Sequence, residues 1–195
     1  MGKPTIRLTC SEKFGGGYEN KPSLFDKVDQ EDIILAFFPC TRFEDQAVLL
    51  FKGEQYQMKK YSDLQKIENS MRYHEELSEN YQCISMLVAI CIQKGLRLVI
   101  ENPRGSLHYL NRYWPLEPSV IDPDRRKNGD YAKKPTQYWF IGCEPQNRIL
   151  FEQIEPVASR IIENITKTEF GRNRQVVRSE IHPQYANRFI RQFIL

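Results

Sequence analysis

The sequence lacks a long apolar run, a block of like charge and any closely paired cysteines, and each absence closes off a class of function. Nothing in the 195 residues approaches the ~18 consecutive apolar residues of a membrane span, so no membrane partner is expected. The opening stretch, MGKPTIRLTCSEKFGGGYENK, has no apolar core of the secretory kind. Lys and Arg number 28 against 25 Asp and Glu, a formal charge of +3. With no basic tail, charge alone does not point to nucleic acid. Five cysteines, an odd number, include no Cys-x-x-Cys pair, and the histidines are His74, His108 and His182 alone. A disulfide framework and a structural zinc site are therefore excluded, no metal is expected, and a reducing, cytoplasmic setting is. No repeat or low-complexity tract is present. The length suits one domain over residues 1–195.

What is there reads as α/β. Thr5 to Thr9 alternates as a short strand does, and Phe14-Gly15-Gly16-Gly17 follows as a glycine-rich turn. Asp32 to Phe38 is a continuous apolar run closed by Pro39, which predicts a strand buried on both faces. Ser62 to Lys94 predicts a long helix. Ser62 and Gln65 form a capping box, Leu64, Ile67, Met71, Leu77, Tyr81, Ile84, Val88 and Cys91 recur at helical spacing, and Gly95 is the stop. Its length predicts a break between Glu75 and Ser78. Leu96 to Ile100 is a second buried strand, giving a right-handed crossover with both strands parallel. Further strands are expected at Ser119–Asp122 and Gln137–Ile141, with a charged loop and an Asn128-Gly129 turn between them. Helices are expected at Glu155–Ile165 and at His182–Leu195, the latter with Tyr185, Phe189, Ile190 and Phe193 as its apolar side. The fold class this predicts is an open, mainly parallel sheet with flanking helices.

Ligands of parallel α/β sheets sit outside the carboxyl ends of the strands. The first buried strand ends in Pro39-Cys40-Thr41-Arg42 and the second in Glu101-Asn102-Pro103-Arg104. If the crossover sets these ends side by side, a thiol and a carboxyl share one cleft, a nucleophile and its acid partner. Otherwise Cys40 is a small core residue and Glu101 a salt-bridge partner. Tyr109, Tyr113 and Trp114 either stack on a base or fill the core. The basic residues at 125–127, 133–134 and 172–178 either track phosphates or line a solvated loop.

Four segments carry a family resemblance. Phe38-Pro39-Cys40-Thr41-Arg42-Phe43 resembles the Pro-Cys motif of the DNA cytosine-5 methyltransferases. Glu101-Asn102-Pro103-Arg104-Gly105 resembles their Glu-Asn motif in the form seen in compact, phage-like members. Lys134-Pro135-Thr136-Gln137-Tyr138-Trp139 and Arg178 to Gln184 are similar to two further segments of that group, and order and rough spacing agree for all four. The resemblance implies a shortened S-adenosylmethionine-methyltransferase-like (Rossmann-like) fold acting on DNA. In it Cys40 adds to carbon 6 of a flipped cytosine, Glu101 hydrogen-bonds ring nitrogen 3, and carbon 5 takes a methyl group from S-adenosylmethionine. It also implies that Pro39, Thr41, Arg42, Asn102, Pro103, Arg104 and Lys134 surround the base, and that Phe14, Gly15, Gly16 and Gly17 hold the cofactor.

The sequence departs from that pattern at named places. Glu44 stands where the motif carries Ser. No clear match exists for the basic residue near the pyrimidine oxygen, and Lys134 is the nearest. Only the stretch from Tyr18 to Glu31 separates the glycines from the first apolar strand, so one or two βα units of a cofactor half are missing, with Asp26 or Asp29 left to stand in for a ribose-binding acid. Nothing between residues 142 and 175 reads as a target-recognition domain. Two alternatives follow: an inactive, truncated methyltransferase fold that binds nucleic acid, a nucleotide or a protein, and an enzyme for free pyrimidine nucleotides with Arg42 and Arg104 on the phosphate.

Overall fold

The computed structural model describes residues 24–131, 133–154 and 180–195. The expected strand at Thr5–Thr9, the Phe14–Gly17 turn, the helix at Glu155–Ile165 and the basic stretch 172–178 lie outside the described residues. Those described form a mixed α/β unit: β1 (Ile33–Phe37), α1 (Ala47–Phe51), α2 (Asp63–Lys94), β2 (Arg97–Pro103), α3 (Tyr109–Tyr113), β3 (Val120–Asp122), β4 (Thr136–Ile141) and α4 (Pro183–Phe193).

The sheet order is β1-β2-β4-β3. β1 and β2 are parallel, with Phe37 opposite Glu101, and α2 is their crossover. The other two pairings are antiparallel, so the expected mainly parallel sheet is corrected to an open mixed one. The connection from β3 to β4 holds only the 3-10 turn Arg125–Asn128 and no crossover helix, so the chain reverses. β4 inserts between β2 and β3, and β1, β2 and β3 all run the same way.

α2 follows its local signals closely. The Ser62 hydroxyl accepts from the Gln65 N–H at 3.3 Å, the Gln65 side chain accepts from the Ser62 N–H at 2.9 Å, and Gly95 ends the helix at φ +64°. The helix runs unbroken from 63 to 94, without the expected break. At 1.5 Å per residue it is about 48 Å long, whereas β2 spans about 23 Å, so it overhangs the sheet. Leu77, Ile84, Leu87, Val88 and Cys91 are buried on the sheet, while Leu64, Ile67 and Met71 are exposed on the overhang.

Period-2 alternation divides the sheet into two faces. Ile34, Ala36, Leu98, Ile100, Trp139 and Ile141 join α2 and α3 in one core, where Trp114 meets Trp139 edge-on at 5.5 Å. On the other face α4 packs against β4: Phe189 stacks on Tyr138 at 4.2 Å. β2 is buried on both faces as expected. β1 is not: Leu35 and Phe37, on the α4 side of the sheet, are 40% and 58% exposed. The expectation that β1 is covered twice is corrected. It lies at the margin of the described sheet, beyond the reach of α4.

Candidate active site

Alternation sends the adjacent residues Glu101 and Asn102 to opposite faces. Asn102 joins the core side. Its Oδ1 lies 2.9 Å from His108 Nε2, and Gln137, its partner across β4, reaches the Pro103 carbonyl at 3.0 Å and His108 Nδ1 at 3.5 Å. All three side chains are buried. Burial pushes the His108 imidazolium down to about 4, so the ring is neutral at physiological pH and donates through Nε2.

Glu101 emerges on the other face opposite Tyr138. Its carboxylate is 3.6 Å from Lys134 Nζ and 4.0 Å from Arg125 Nη1. Arg125 is fully buried, ion-paired with Asp130, with its guanidinium 4.5 Å from the Tyr185 ring of α4. Burial works against the Arg125 charge, but its neighbours, Asp130 foremost, more than restore it, and the guanidinium stays above its ordinary value. Glu101 Oε1 and Arg125 Nη1 and Nε are buried without a hydrogen-bond partner among the described residues. Buried polar atoms are rarely left so, and Nη1 and Oε1 stand 4.0 Å apart, beyond direct hydrogen-bond distance.

Cys40 follows the neighbouring parallel strand. It begins the turn after β1, its carbonyl accepting from Phe43 and Glu44 N–H at 2.9 and 3.0 Å. Burial raises the thiol above its ordinary value, Glu44 and Glu101 raise it further, and Lys134 opposes them.

The loops are tied together around this point. Asp45 accepts from Leu107 N–H at 2.9 Å and from the Ser106 hydroxyl at 3.2 Å, and Tyr109 N–H reaches the Phe43 carbonyl at 2.7 Å. Arg104 N–H donates to the Pro135 carbonyl at 2.8 Å, which brings in the loop carrying Lys134. Gly105 permits the first of these contacts, because a Cβ there would strike the Asp45 carboxylate.

The remaining expected residues fall unevenly. Pro39, Thr41 and Arg104 are exposed at the rim, and Pro103 is half-buried at the end of β2. Arg42 turns to α2, where its Nε donates to Glu76 at 2.6 Å and its guanidinium lies over Tyr73. That pairing leaves it occupied rather than poised for a phosphate. Asp26 bonds Lys94, and Asp29 accepts from Glu31 and Asp32 N–H, so both carboxylates are engaged locally. Trp114 is core, Tyr109 packs against it, and Tyr113 is exposed. Arg125, read as part of a basic loop, is instead a buried charge, and its partner Asp130 was missed. The usable signal was an arginine and an aspartate on either side of the Asn128-Gly129 turn, which closes at φ +96°. Among the described residues no group of His, Cys, Asp and Glu could hold a metal ion, and no helix is long and apolar enough to cross a membrane.

No family model matches the chain, and no curated protein or solved structure matches it either.

Proposed function

We propose that the chain is a DNA cytosine-5 methyltransferase-like protein, and that its mixed sheet is part of a shortened S-adenosylmethionine-methyltransferase-like (Rossmann-like) fold. What supports the reading is one observation: Cys40 follows β1 and Glu101 ends β2 at the carboxyl ends of two adjacent parallel strands, with Phe37 opposite Glu101 and Lys134 Nζ 3.6 Å from the Glu101 carboxylate. A target cytosine enters flipped from its stack. The Cys40 proton passes to the Glu101 carboxylate and the sulfur bonds to carbon 6. The carbon 5–carbon 6 pair shifts into the ring as Glu101 donates that proton to nitrogen 3, and the cations beside the carboxylate hold the developing charge. Carbon 5 becomes nucleophilic. After transfer, nitrogen 3 returns its proton to Glu101, carbon 5 gives its proton to water, and the sulfur–carbon bond breaks with the sulfur leaving as the thiolate. Asn102 fixes the loop through His108, and Lys134 favours the thiolate.

S-adenosylmethionine supplies the methyl group when bound. The described residues do not by themselves fit it, since no glycine-cradled strand-to-helix turn occurs among them. Its binding rests with Phe14, Gly15, Gly16 and Gly17, and no residue role above depends on it.

The test is a DNA duplex carrying 5-fluorocytosine, incubated with the protein and S-adenosylmethionine. Fluorine blocks the final loss from carbon 5, so an adduct at Cys40 is the expected product, absent in Cys40→Ser. A folded protein that forms none contradicts the proposal.

The raised thiol favours a second reading, a truncated fold that binds nucleic acid or a nucleotide without methyl transfer. It predicts DNA or dCMP binding that survives Cys40→Ser unchanged, and no adduct.

A further inference from the structure

The C-terminal helix touches the site through one side chain. Tyr185, 4% exposed, sets its ring 4.5 Å from the Arg125 guanidinium and its hydroxyl 2.8 Å from that of Tyr138, the residue opposite Glu101. Gly129, in the loop that carries Arg125, lies against the same turn of α4, where a Cβ would sit 3.1 Å from Gln184 Cγ. Asp130 fixes one edge of the guanidinium. The edge aimed at Glu101 has no hydrogen bond to hold it among the described residues. Its direction is set by what packs against it, and the guanidinium carbon lies over the Tyr185 ring at 4.5 Å.

We propose that Tyr185 is a positioning residue: by stacking on Arg125 it keeps Nη1 at 4.0 Å from Glu101 Oε1, which makes α4 part of the active site rather than a cover for the sheet. The inference rests on the reading of Glu101 as the group that meets the pyrimidine. A guanidinium is a rigid plane, so an edge held by Asp130 and an aromatic ring packed against it restrict its orientation. The ring contributes through its face, and its hydroxyl serves Tyr138. The charged and titratable groups around the pair are Asp130, Tyr138, Tyr185 and Glu101 on Arg125, and Lys134 and Cys40 beside Glu101.

Two measurements on the full chain test this. The first is the rate of tritium release from carbon 5 of cytosine in DNA across pH, which needs the Cys40 addition. The second is solvent exchange of the Arg125 Nε–H by NMR without DNA. Tyr185→Phe keeps the ring and is expected to leave both within about threefold of the parent. Tyr185→Met removes the ring and is expected to slow release about tenfold, the scale of a desolvated cation–π contact, to move the acid limb of the pH profile upward, and to speed the Arg125 exchange. Arg125→Lys keeps the charge without the plane, is expected to repeat the loss and the pH shift, and serves where Tyr185→Met does not fold. A ringless variant with parent-like exchange and pH profile overturns the proposal, as does Tyr185→Phe as damaged as Tyr185→Met. If the parent itself releases no tritium, the reading of Glu101 fails, and the exchange measurement alone still decides whether Tyr185 holds Arg125.

Discussion

At the end of β2 two neighbouring residues occupy unlike worlds. On the core side Asn102 sits with His108 and Gln137, neutral groups joined by contacts of 2.9 to 3.5 Å. On the other side Glu101 sits within ion-pair reach of Arg125 and Lys134, and Arg125 donates to Asp130. One peptide unit of strand geometry accomplishes this. The difference teaches how strand alternation sorts a neutral cluster to the core and a charged one to the opposite face; each keeps buried polar atoms without a partner among the described residues, Asn102 Nδ2 and Gln137 Oε1 on the first and Glu101 Oε1 and Arg125 Nη1 on the second.

The largest expected effect comes from breaking the charged side. Asp130→Ala leaves Arg125 buried without its ion-pair partner, and unfolding in urea is expected to show a loss of about 3–5 kcal/mol. A loss below about 1 kcal/mol would mean that water reaches Arg125, and the contrast between the faces would collapse.

The neutral side breaks with acid. His108 titrates near 4 in the fold against about 6.5 when unfolded. The unfolded chain therefore binds more protons between these values, and stability falls as pH drops through that window. The loss is about 2 kcal/mol between pH 7.5 and 5. Urea midpoints across pH should show this slope in the parent and lose it in His108→Gln. An equal slope in both would place the acid sensitivity elsewhere.

A smaller effect sharpens the charged side. Glu44 is the first charge pushing the Cys40 thiol up, after burial. Glu44→Gln should lower the thiol's titration and speed its alkylation at neutral pH. Lys134→Met should do the reverse. No change in either variant would detach Cys40 from these groups.

Local signals were legible in the sequence where local physics decides. The Ser62–Gln65 box and Gly95 set both ends of α2, and the apolar runs set β1 and β2 and their parallel pairing. The parallel pairing sets the chain that leads to Cys40 beside the end of β2, where Lys134 meets Glu101. What stayed hidden depends on distant chain. The insertion of β4 between β2 and β3 is a matter of long-range pairing, which leaves no mark on QYWFI itself. Leu64, Ile67 and Met71 have the same helical spacing as the buried residues further along α2, and only the sheet's width decides which of them it covers. Arg125 reads as one more base in a charged loop, and its burial depends on Asp130 and on a tyrosine near the far end of the chain.

The claim beneath all of this is that the sulfur of residue 40 and the carboxylate of residue 101 act on each other. Peptide-resolved alkylation across pH reads that directly, in the parent and in Glu101→Gln, with Cys91, pushed up to about 11 by burial, as the internal reference. The account predicts a Cys40 thiol titrating above its ordinary value in the parent and lower in the variant, because a repelling charge is gone and Lys134 is freed to act on the thiol. A Cys40 titration that ignores the loss of the Glu101 charge would contradict it.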